Sequence, residues 1–158
     1  MKIIIVCLIA AAGLVLAVVV AGQLGLLRGK RPSGIGISQG KLAAPKTGSW
    51  NSVASQHQAG QEHDIAGIQF TGSSGQAMER LKRILATDPS IITIEATQTY
   101  LYAHSETKLL KFVDDVEFLI DESSHLIHVR SASRLGRKDF GVNRARIEAI
   151  RRGFESTQ

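Results

Sequence analysis

The sequence predicts an α+β fold behind a membrane-spanning helix: an antiparallel sheet with two helices packed on one face, preceded by an apolar N-terminal segment. Three observations carry this reading. Ile3 to Gly22 form a run of twenty residues without charge or strong polarity. Short β-branched and aromatic stretches follow one another between residues 91 and 131, separated by turn formers. Two segments with apolar residues at helical spacing bracket those strands in the chain.

The N-terminal run is the first element. At about 1.5 Å per residue it covers the roughly 30 Å hydrocarbon layer of a bilayer. A cleaved secretory signal is the rival, since Val19, Val20 and Ala21 before Gly22 resemble a cleavage site. Signal cores, however, usually hold only about 7 to 15 apolar residues, so residues 1–27 are read as a retained single-pass anchor. Cys7 lies inside this run and, as the only cysteine, forms no intrachain disulfide. Ile5 and Val6 precede it where a lipid-acceptor cysteine needs small residues. Arg28, Lys30 and Arg31 outweigh Lys2 and lean the domain towards the cytoplasmic side, but a short basic N-tail can also stay inside, so the side is left open.

The 158 residues allow one ordinary domain beyond the anchor. The formal net charge of +5 collapses when divided along the chain, because four basic and no acidic residues precede position 32. Beyond it, 15 basic face 14 acidic residues. A nucleic-acid partner is therefore not expected. Residues 130–152 do hold eight basic side chains, but Phe140 is the only aromatic there, too few for a stacking surface. The membrane is the expected partner; no cofactor motif, paired-cysteine metal motif or phosphate-binding Gly-rich loop occurs.

From 28 to 63 glycines and prolines interrupt any periodicity, and this stretch reads as a flexible linker. Trp50 stands out within it, either packed back on the domain or placed at the membrane interface. The domain proper is read as 64–158. It opens with a short strand over Ile65–Phe70 and a helix over Gly75–Ala86, capped by Ser73 with Gln76. Strands are expected at Ile91–Thr97, Thr99–His104, Val116–Asp121 and His125–Ser131. A last helix over Arg144–Phe154 carries Ile147, Ile150 and Phe154 as its apolar stripe, with Glu148 four residues before Arg152 for an ion pair.

The strands flanking Glu122 to His125 specify their own pairing. A two-residue turn at Ser123 and Ser124 sets Ile120 opposite Ile127, Phe118 opposite Val129 and Val116 opposite Ser131, all apolar or small. The same register puts Glu117 opposite Arg130 and Leu119 opposite His128 on the other face. A slip by one residue would bury those charges.

Three motifs resemble the uncharacterised family called domain of unknown function 1499: Phe112–Phe118 (FVDDVEF), Val129–Gly136 (VRSASRLG) and Asp139–Arg144 (DFGVNR). The resemblance covers roughly residues 50 to 154 and implies a domain without an established activity. Family members carry a cysteine in a Pro-Asn-Cys-Val-Ser-Ser-like stretch; here Ser49–Ser55 stands in its place and Ser52 at the cysteine position, so no thiol chemistry carries over.

The candidate site combines Asp114, Asp115 and Glu117 with Arg130, Ser131, Ser133, Arg134 and Arg144. Strand alternation sends Asp115 and Glu117 to one face and Asp114 to the other. Two carboxylates with no defined third ligand, even with His104 or His128 nearby, make no metal site. The arginines and serines before the last helix either bind an anion at its N-terminus or close internal ion pairs with the three carboxylates. No serine has an assigned His partner, so no catalytic residue is named. The expected function is a membrane-anchored, non-enzymatic binding or scaffolding module with an unknown protein partner. The alternative is a ligand-binding or hydrolytic domain acting on an anionic small molecule near the membrane.

Overall fold

The computed structural model describes residues 1–157. Its first helix, α1 (Lys2–Gln23), has a mean hydropathy of 3.3 and is long and apolar enough for a single membrane span or a signal sequence; none of that apolar window is buried against the rest of the chain. It meets the domain only at its end. Gly22 is pressed against Leu110, where a Cβ would come within 2.6 Å of the carbonyl oxygen. Gln23 Nε2 donates to the carbonyls of Lys108 and Leu109 at 3.2 and 2.8 Å, and Arg28 pairs with Glu106 at 3.0 Å.

Six antiparallel strands form one sheet: β1 (Ser52–Ala54), β2 (Ile68–Gln69), β3 (Ile91–Ala96), β4 (Tyr100–Glu106), β5 (Val113–Asp121) and β6 (Leu126–Ser133). The order is β1-β6-β5-β4-β3, with β2 also pairing β6. The β5–β6 register is the one that the alternation specifies, including Glu117 opposite Arg130 and Leu119 opposite His128. The turn differs. Glu122–His125 form a four-residue connection instead of a two-residue one, because a tight two-residue turn of the favoured hand asks for φ > 0 at one or both central residues, which serine resists. His125 takes the single left-handed position, φ 50°.

The Asp121 carboxylate stabilises this turn by accepting from the Ser123 and Ser124 hydroxyls at 2.6 and 2.7 Å. Those hydroxyl donors, Ser123 first, pull its acidity to about 2 from an ordinary 3.8. A depressed folded value contributes stability above the unfolded one and loses it as pH falls. Asp121→Asn is therefore expected to flatten the loss of stability between pH 3.8 and about 2, as followed by thermal melts across that range.

α2 (Ser74–Leu85) begins at the expected capping box: Ser73 Oγ accepts from Gln76 N and the Gln76 side chain returns to Ser73 N. Ser73→Ala should cost about 1 kcal/mol, read as a lowered urea midpoint with unchanged slope. α3 (Val142–Glu155) starts two residues before the expected Arg144, since Asp139 accepts from Asn143 N at 2.8 Å and satisfies its first turn. Glu148 pairs not with Arg152 but with Arg151 at 3.0 Å, whose guanidinium also reaches the Ala66 carbonyl at 2.6 Å and ties α3 to the loop before β2.

Ala77, Met78, Leu81 and Leu85 of α2 and Ile147, Ile150 and Phe154 of α3 join one buried cluster with Leu101, Ala103, Val116, Phe118, Ile120, Ile127 and Val129. Within each strand these residues share one parity, and the register sets Leu101, Phe118 and Val129 abreast, hence one face. Tyr100, Tyr102 and Leu119 form a second buried cluster on the other face with Leu42, and Ile35 packs against it.

That second cluster corrects the reading of 28–63 as a flexible linker. Residues 31–42 lie as a strap across the second face: Gly36 N donates to Glu117 Oε1 at 2.7 Å, and the Arg31 guanidinium sits 4.4 Å from the Tyr102 ring centre. Gln56 Oε1 accepts from Leu42 N at 2.8 Å, and residues 52–54 supply β1. The charges expected at a solvent face in the chosen register are consequently buried, with Glu117 and Asp115 fully enclosed.

Candidate functional site

On the strap face, β4, β5 and β6 contribute two parallel rungs. In the first, Glu117 accepts from Tyr100 Oη at 2.9 Å, Arg130 Nη1 at 2.7 Å and Gly36 N at 2.7 Å. In the second, Asp115 accepts from Tyr102 Oη at 2.7 Å and from Arg134 Nη2 and Nε at 2.8 and 3.1 Å. Both phenols are made less acidic than usual, by burial first and then by the adjoining carboxylate, and so remain neutral donors. The tyrosines at i and i+2 were the missed signal, since their alternation matches that of Asp115 and Glu117.

The helix face carries a separate network. Asn143, fully buried at the start of α3, donates through Nδ2 to Asn51 O, Ser133 Oγ and Asp139 Oδ2 at 3.0, 3.0 and 2.8 Å. Its Oδ1 accepts from Ser131 Oγ and Arg146 Nη1 at 2.5 and 2.8 Å. Arg146 closes on Asp114 at 2.6 Å. The third ion pair thus belongs to Arg146, not Arg144. Arg146 lies four residues before Ile150 and so on the inward stripe of α3, whereas Arg144 is turned to its flank.

Arg144 instead donates to the carbonyls of Gln61 and Glu62 at 3.0 and 3.3 Å. It borders a hollow of about 370 Å³ with Trp50, Ser52, Lys138 and Phe140. The structure therefore brings together Arg130, Arg134, Asp115 and Glu117 on one face and Ser131, Ser133 and Asp114 on the other, and leaves Arg144 apart. His104 and His128 are both shifted towards the neutral form, chiefly by burial. Among the described residues, no group of three or more His, Cys, Asp or Glu side chains is placed to hold a metal ion.

A family model described as protein of unknown function (DUF1499) matches residues 43–154. The chain belongs to the DUF1499 family. No curated protein and no solved structure matches it.

The three motifs that carry the DUF1499 resemblance meet in space. FVDDVEF supplies the carboxylates of β5, VRSASRLG the arginines and serines of β6 and its exit, and DFGVNR the Asp139–Asn143 pair that begins α3. Their shared geometry is a polar lock through both faces of the sheet. Ser52 sits in β1 with its hydroxyl buried and, among the described residues, without a hydrogen-bond partner.

Proposed function

We propose that this DUF1499 chain is a membrane-anchored, non-enzymatic binding or scaffolding module, held to the bilayer by α1 as a single span. The observation that carries the reading is the closure of every site carboxylate: Asp114, Asp115 and Glu117 each end on an arginine inside the fold. A carboxylate so paired has its oxygens already engaged, and a guanidinium so paired has few N–H groups left to offer a substrate. Retention of α1 is supported by its continuity through the Ala21–Gly22 bond, which lies in the helix with Gly22 against Leu110. The side of the membrane stays open. Mass measurement of the membrane-extracted chain should find α1 (Lys2–Gln23) still attached, and a chain beginning at Gly22 would refute the anchor. Substrate turnover by the purified protein, lost on Glu117→Gln while the fold persists, would refute the non-enzymatic half.

One observation favours a second reading, a site for an anionic small molecule. Arg144 meets carbonyl oxygens and, among the described residues, no carboxylate, and Lys138 borders the same hollow. A thermal shift with inorganic phosphate that disappears in Arg144→Gln would support it. No shift with phosphate or with acidic metabolites would exclude it.

A further inference from the structure

The loop from Thr107 to Phe112, the segment from Arg134 to Phe140 and the chain leaving α1 gather at one pole of the sheet. There β4 ends, β5 begins, β6 ends and α3 starts. The end of α1 rests on the first of these loops through Gly22 and Gln23, and Gly29 lies against Arg134 and Leu135 of the second. The direction in which α1 leaves the domain is set by these contacts.

This pole exposes large apolar side chains that the fold leaves uncovered. Phe140 is 90% exposed, Leu109 60% and Trp50 50%. Phe140 also holds φ 55°, a left-handed conformation that a bulky aromatic residue rarely adopts, so the chain is strained at the residue whose ring it leaves in water. Leu135, Phe112 and Phe140 line a common hollow of about 300 Å³. Lys30, Lys108 and Lys138 are exposed beside them, and none forms an ion pair among the described residues.

We infer that this pole is a bilayer-contacting surface, with Phe140, Trp50 and Leu109 seated in the interfacial layer of the membrane that α1 crosses and the three lysines facing anionic headgroups. The inference rests on α1 being retained as a span. Continuity with α1 selects lipid over a protein partner: an anchor fastened at this pole keeps it within a few residues of the membrane surface. The chemistry agrees, since aromatic rings with lysines beside them suit the headgroup layer.

Trp50 is the only tryptophan and reports on the surface directly. The full-length protein is reconstituted into vesicles of phosphatidylcholine and phosphatidylserine, with bromine-labelled lipids as contact quenchers. A second variant, Trp50→Phe with Phe140→Trp, moves the reporter to the exposed ring. Expected are blue-shifted emission and quenching by bromolipid at both positions, each relative to the protein in urea. Emission at the water-exposed wavelength, open to aqueous iodide, would overturn the inference. Blue-shifted emission that bromolipid leaves unquenched would overturn it as well, because a second copy or the protein itself then covers the ring. Alkaline carbonate extraction separates the two levels: release of the chain refutes the anchor and this inference with it, whereas a retained chain with wet reporters refutes the surface alone.

Discussion

Arg130→Met is expected to destabilise the protein by about 3–5 kcal/mol, lowering the midpoint of thermal unfolding by roughly 10–20 °C. The reason is not that the Glu117–Arg130 pair contributes that much. Two charges removed from water cost nearly what their attraction returns, so an intact buried pair is close to neutral for stability. Removing one partner is different. Glu117 is fully enclosed between β5 and the strap, and without Arg130 Nη1 at 2.7 Å its charge keeps only the Tyr100 hydroxyl and the Gly36 amide. Methionine retains most of the volume, so the loss reports charge rather than a cavity. The double variant Glu117→Gln, Arg130→Met should recover most of the stability, because a neutral amide oxygen still accepts from Tyr100 and Gly36. Urea unfolding of the four proteins measures the coupling directly. A single variant within about 1 kcal/mol of wild type would show that Glu117 is not enclosed as described.

Asn143→Ala should cost about 3–4 kcal/mol, since it strips partners from several buried groups at about 1–3 kcal/mol each, not fully additive. The informative comparison is Asn143→Asp. Aspartate keeps an acceptor for Ser131 and Arg146 but turns the donor that faces Asp139 at 2.8 Å and the Asn51 carbonyl at 3.0 Å into a second anion. Its destabilisation at neutral pH should equal or exceed that of alanine, and should shrink as pH falls and the new carboxyl takes up a proton. Equal unfolding midpoints for wild type and Asn143→Asp at neutral pH would rule out the assigned amide orientation. Because Asn143 joins α3 to β1 and β6, hydrogen exchange in both variants should rise in Ser52–Ala54 before the β4–β5 ladder.

Much of the sheet was legible because its pattern is redundant. In β5 Val116 and Phe118 flank Glu117, and in β6 Ile127 and Val129 alternate with His128 and Arg130, so a wrong register would turn several side chains to the wrong face at once. The capping box at Ser73 was legible for a similar reason, as two residues at fixed spacing satisfy two backbone donors. The strap was not. Its hold on the sheet includes one backbone amide at Gly36, the buried Leu42 with Ile35 packed against the same cluster, and the Arg31 guanidinium over Tyr102, and none of these repeats with a period. The site was half legible. The carboxylates and the hairpin arginines stood out as charges in apolar strands, but Arg144 drew attention over Arg146. Projecting the Ile147, Ile150, Phe154 stripe back by one turn would have placed Asn143 and Arg146 inward and Arg144 to the side.

With helices on one face of the sheet, the strap on the other and β1 and β2 along β6, β3 is the edge left open. Ile92 and Ile94 on it are half exposed, and its register shifts between Thr93 and Glu95. For a freely diffusing protein such an edge meets its own kind rarely. With α1 retained as the proposed span, copies in one membrane search two dimensions instead of three. The shift between Thr93 and Glu95 works against a second β3 pairing there, because it breaks the straight row of amides and carbonyls that such pairing needs.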